Sequence, residues 1–249
     1  MNKSIKTLVW LTIFSIAMGY LESSVVVYLR ALMYPNGFDF PLAPFDAHLA
    51  ITELFREAAT VIMLLGAGII AGKSFSERFA WFIYCFAIWD IFYYIFLKVL
   101  LNWPESLMTW DILFLIPVTW VGPVITPIIV SLTMILFALV IIFYTDKKNT
   151  RIAFREWFLL ITGSLILILA FIWDYSKFIL SHFSISEIFS LPDSKPLFDM
   201  GLQYIPQSFN WFLFFTGELI ILAGIALFFI RINKQPSRNL QDENVTLIK

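Results

Sequence analysis

The chain has one cysteine, Cys85, so it cannot form an intramolecular disulfide. Its two histidines, His48 and His182, are too few for a histidine-based metal centre or a bis-histidine haem, and no cofactor is expected. Only 14% of its 249 residues are charged, against about 25% in soluble domains. The net charge is -1, with none of the clustered basic surface that nucleic acid requires. A glycine-rich phosphate loop, a paired-histidine metal motif and a serine elbow are all missing, so phosphate-loop, zincin and serine-hydrolase chemistry find no support.

What remains is apolar. Hydrophobic residues make up 60% of the chain, aromatics 18%, and the mean hydropathy is +0.83. This is the composition of a membrane protein. Crossing a hydrocarbon core about 30 Å thick takes about 20 apolar residues in a helix. Six segments qualify, at residues 7–32, 50–72, 79–101, 119–144, 156–180 and 208–230. The expected fold is an all-α integral membrane bundle of six transmembrane helices over residues 1–232, with a disordered cytoplasmic tail at 233–249. With the N-terminus inside, twelve Lys and Arg fall on the inner side. Four fall outside (Arg30, Lys98, Lys177 and Lys195), and Arg56 lies within a span. That asymmetry predicts cytoplasmic termini in an inner membrane.

The first segment also has a signal-peptide pattern: Lys3 and Lys6, an apolar run, then Ala17-Met18-Gly19. The run resumes through Val25-Val26-Val27 to Leu29, which suits a retained span better. Residues 33–48, rich in proline, predict an irregular outer connection, and residues 181–207 a polar one. Between the third and fourth spans, Trp110 to Pro117 is too short to cross. It predicts a short interfacial or re-entrant helix, flanked by Trp103, Trp110 and Trp120 at headgroup level, and the whole segment Trp103 to Trp120 is expected to act as a lid. Ile88-Trp89-Asp90 is echoed by Ile172-Trp173-Asp174, a three-residue match for which chance is a sufficient account. Gly66, Gly68 and Gly72 read as a close-packing surface of the second span.

The most informative residues are Glu22, Glu57, Asp90 and Glu218, each inside a different apolar segment. Ionisable groups in a span are costly and usually face a protein interior. Counted from each span's inner flank, Glu22 and Glu57 lie about 24 Å in, Asp90 about 18 Å and Glu218 about 20 Å. They form one layer in the outer half. Helical spacing puts Glu53, Arg56, Glu57 and Thr60 on one stripe, and Asp90, Tyr93, Tyr94 and Lys98 on another. Arg30 falls on Glu22's face and is expected to snorkel outward.

The candidate binding residues are therefore Glu22, Glu53, Arg56, Glu57, Asp90, Tyr94, Lys98 and Glu218. Four acids against one certain cation predict protonation or a bound cation. The leading expectation is a binding or transport protein for a proton, a cation or an amine-bearing solute. An intramembrane enzyme acting on a lipid or lipid-linked substrate is the alternative, with paired carboxylates as acid and base. A third is a structural subunit whose partner is another membrane protein. Membrane lipids are expected partners in each case.

The runs Gly19-Tyr20-Leu21-Glu22, Glu53-Leu54-Phe55-Arg56-Glu57, Trp89 to Tyr94, Trp103 to Trp110-Asp111 and Trp120-Val121-Gly122-Pro123 resemble a group of uncharacterised bacterial inner-membrane proteins. The likeness covers about the first half of the chain. It implies a bacterial source and no particular chemistry.

Overall fold

A computed structural model describes residues 3–34, 37–43, 47–116, 118–190 and 195–236. Its elements, in chain order, are helices α1 (Lys3–Met33), α2 (Ala47–Ala71) and α3 (Phe75–Leu101), strands β1 (Trp110–Phe114) and β2 (Trp120–Pro123), then α4 (Ile125–Tyr144), α5 (Phe154–His182), α6 (Ile185–Ser190), α7 (Lys195–Gly201) and α8 (Trp211–Asn233). Helices α1, α2, α3, α4, α5 and α8 are long and apolar enough to cross a membrane. The molecule is an all-α bundle with six such helices. Their outward faces carry exposed Trp10, Tyr28, Ile70, Val99 and Phe212, as a lipid-facing surface requires.

The expected short helix before α4 is instead an antiparallel hairpin, with Asp111 opposite Gly122 and Ile112 opposite Val121. An isolated turn or two of helix is marginal, and Trp110-Asp111-Ile112-Leu113-Phe114 is rich in β-formers. Pairing with β2 satisfies backbone groups that so short a helix would leave open. The outer connection 181–207 is also more ordered than its polarity suggests, since it holds α6 and α7. The helical domain ends at Asn233, one residue past the expected boundary, and most of the expected disordered tail (237–249) lies outside the described residues.

The helices form two bodies. In the first, α1 and α2 both pack along α3, which packs along α4; in the second, α5 pairs with α8. Glycines set the closest crossings. A Cβ on Gly68 or Gly72 would run into the backbone of Phe82 or Arg78, which brings α2 against α3 near the end carrying the termini. Gly66 meets nothing and takes no part. Gly163 and Gly217 bring α5 and α8 together in the same way. At the termini end, the Arg231 guanidinium donates to both carboxylate oxygens of Glu156, at 2.6 and 2.8 Å.

The Ile-Trp-Asp echo has no structural counterpart. Trp89 is buried and Trp173 exposed. Asp90 accepts from Ser131 on α4, whereas Asp174 accepts from Tyr204 and the backbone of Gln207 in the outer connection.

Candidate binding site between α1, α2 and α3

Although α1 and α2 both lie on α3, they hardly touch each other. Gly19 lets α1 approach the backbone of Trp89 and Tyr93, while Gly68 and Gly72 draw in only the termini end of α2. The outer halves of α1 and α2 consequently flank a cavity of about 190 Å³. Its wall is built from residues 22–34 of α1 and its extension, 49–60 of α2, 89–94 of α3, and 111–115 of the hairpin.

Of the eight residues proposed from sequence, Glu22, Glu53, Arg56, Glu57, Asp90 and Tyr94 line this cavity. Arg56 lies between two carboxylates: it donates through Nη1 to Glu22, and through Nε to Glu53 at 2.8 Å. Glu53 is one helical turn away on α2, while Glu22 reaches across from α1. Thr60 donates to the second oxygen of Glu22 at 3.3 Å. Glu57 accepts from the backbone N–H of Leu115 at 2.9 Å, which ties the end of the hairpin to α2. Asp90 accepts from Ser131 at 2.8 Å.

Lys98 and Glu218 are not brought to the cavity. The Lys98 ammonium donates to the carbonyls of Asn102 and Pro104 and so closes the outer end of α3. Asn102 itself takes the left-handed conformation there, with φ 54°. Glu218 belongs to the α5–α8 body and accepts from Thr133 on the far side of α4. Equal depth placed these groups in one layer, but helix packing separates them laterally.

Three cavity residues outside the eight bear on its chemistry: Arg30, Asp111 and Tyr93. Arg30 does not snorkel: it is 9% exposed, and its guanidinium lies 3.8 Å from the Trp103 ring centroid and 4.4 Å from that of Phe38. Its spacing from Glu22 did signal a shared face. Asp111 is 3% exposed and accepts from the Tyr94 hydroxyl at 3.0 Å. Burial pushes the Asp111 carboxyl up to about 7, against the opposing pull of Arg30. The signal for Asp111 was a lone acid in a short apolar run, obscured by the expectation of a helix. Tyr93 also faces the cavity, and its hydroxyl has no hydrogen-bond partner among the described residues.

No family model, curated protein or solved structure matches the chain. The chemistry therefore has to come from the site itself.

Five acids line the cavity (Glu22, Glu53, Glu57, Asp90 and Asp111) against two arginines, Arg30 and Arg56. Arg56 serves Glu22 and Glu53, and Arg30 lies nearest Asp111, at 3.9 Å. Neither Glu57 nor Asp90 is in hydrogen-bond contact with a basic group among the described residues, although the Arg56 charge acts on Glu57, and each has one carboxylate oxygen without a hydrogen bond there. Elsewhere the wall is apolar, including Val26, Leu29, Leu42, Leu49 and Leu113. A ligand that fits has a positively charged or proton-donating end and an apolar body. Among the described residues no group of His, Cys, Asp and Glu is arranged to hold a metal ion.

Proposed function

We propose that the chain is a membrane-embedded binding or transport protein whose cavity takes a proton or a cationic, amine-bearing solute. The observation that carries this reading is the pair Glu57 and Asp90, each with an unshared oxygen in one cavity and no ion-pair contact, the Arg56 charge near Glu57 being already shared with Glu22 and Glu53. Two such under-compensated carboxylates in a poorly solvated space are costly as anions; a proton or an ammonium group relieves that cost. The charge asymmetry of the loops supports cytoplasmic termini and, with them, a cavity in the outer half of the membrane; a bacterial inner membrane rests on the sequence resemblance alone.

The test uses the purified protein in neutral detergent and isoamylamine as probe. Wild type should bind it saturably, and Glu57→Gln and Asp90→Asn should each weaken binding by about 10- to 100-fold, the loss of one charged hydrogen-bond partner. Proteoliposomes should take up the amine when an inward-directed pH gradient is imposed. Binding that is insensitive to both substitutions would remove these carboxylates from the site.

One observation favours a second reading. The sparse α1–α2 contact puts the cavity beside lipid, where an amphiphile reaches Glu57 and Asp90 from the outer leaflet. Two such carboxylates are suited to general acid–base work. Conversion of an added lipid, rather than its unchanged release, is the result that selects this alternative.

A further inference from the structure

Arg30 is an incompletely satisfied charge in the cavity wall. It is nine-tenths buried and lines the cavity, and its guanidinium makes no hydrogen bond among the described residues. Its nearest anion, Asp111, is 3.9 Å away, beyond hydrogen-bond reach. The Tyr94 hydroxyl donates to Oδ2 of Asp111, and Oδ1 faces Arg30 without reaching hydrogen-bond distance. Five N–H donors that face a largely apolar cavity without a hydrogen-bond acceptor from the described residues are costly, and such guanidinium groups are normally found bound to carboxylate or phosphate.

The stacking explains why Arg30 stays. Trp103 and Phe38 hold the guanidinium by cation–π contact, which fixes its plane but accepts none of its hydrogens. Asn102 at the α3 terminus turns the chain so that Trp103 follows directly, and Phe38 comes from the segment between α1 and α2. Two separate stretches thus build a shelf for one cation that lines the cavity. An arginine whose role was only to neutralise Asp111 would sit in hydrogen-bond contact with it.

We propose that the ligand is a zwitterion. Its carboxylate or phosphate binds Arg30, its primary ammonium binds Glu57 and Asp90 with the Tyr93 hydroxyl, and its apolar part lies against Val26, Leu29 and Leu113. This rests on the amine-binding reading above and adds the anionic group. A free amino acid and an aminophospholipid headgroup share this chemistry. Either one satisfies both the unmatched acids and the unmatched arginine, which a simple amine or a proton does not.

A matched ligand set tests it, by native mass spectrometry and equilibrium binding in neutral maltoside detergent. Isoamylamine carries leucine's apolar body and amine without the carboxylate; leucine and lysophosphatidylethanolamine carry the amine with a carboxylate or a phosphodiester. In wild type, one or both zwitterions should bind about 10- to 100-fold more tightly than isoamylamine. Leucine alone identifies a soluble solute, and the lysolipid alone identifies a headgroup. Arg30→Gln should abolish the advantage of the zwitterions over isoamylamine, read as the ratio of the two affinities in the same variant; Arg30→Lys should keep part of that ratio. Zwitterions binding no more tightly than isoamylamine in wild type, or with an undiminished ratio in Arg30→Gln, overturn the proposal and leave the amine site standing. Failure of all three ligands overturns both. The wild-type comparison decides even if Arg30→Gln does not fold.

Discussion

Asp111 shows how one carboxyl couples burial to pH. Its ordinary value lies near 3.8 and burial pushes it up to about 7, so the folded protein holds this proton over a range where the unfolded chain has lost it. Folding is then favoured most at low pH, and this contribution is lost as pH rises from about 4 to about 7. Because Asp111 holds the hairpin to Tyr94, the loss is local to the outer end of the cavity. Thermal unfolding between pH 4 and pH 8 should therefore show a falling stability that flattens above 7. Asp111→Asn, which keeps an acceptor for Tyr94 but cannot ionise, should abolish that slope. An unchanged slope in the variant would assign the dependence to another group.

At the scale of elements, glycine decides which helices meet. The α5–α8 crossing has no room for a methyl group, since a Cβ on Gly217 would lie 2.8 Å from the Gly163 carbonyl oxygen, and that neighbour is backbone. Gly217→Ala should therefore lower stability by about 1–3 kcal/mol, the usual cost of forcing atoms into a filled interface. Gly66→Ala, whose new carbon meets nothing, should be near neutral or slightly stabilising. Equal effects of the two in thermal unfolding would mean that crowding at the crossing is relieved by movement of the helix. The six spans were legible in the sequence because apolar length alone defines them. The stripe of Glu53, Arg56 and Glu57 was legible because helical spacing fixes a face. Spacing does not fix which neighbour that face meets. Lys98 and Glu218 were grouped with the site by depth, which is one coordinate of three. The hairpin was hidden for a different reason: a five-residue apolar run has the same composition whether it pairs as a strand or coils.

For the whole molecule, the question is how the body holding the cavity is joined to α5 and α8. Among the contacts that do it are the edge-to-face pair of Phe137 and Phe228, the stacking of Trp120 on Phe171 at 5.8 Å, the packing of Phe79 on Trp157, and the bond from Thr133 to Glu218. Glu218 is 5% exposed, and its second oxygen has no partner among the described residues. A half-satisfied buried carboxyl makes Thr133 important, because removing that donor leaves both oxygens bare. Thr133→Val should cost about 1–3 kcal/mol, while Glu218→Gln, which removes the ionisable group and retains an acceptor, should cost less or stabilise. Together the two should be less destabilising than the sum of their separate effects, as expected for groups in direct contact. Neither should alter amine binding, since Asp90 is served by Ser131 and not by Thr133, and two residues along a helix point to opposite sides. Loss of isoamylamine binding in Glu218→Gln, with folding intact, would instead show that the joint between the two bodies is energetically coupled to the cavity.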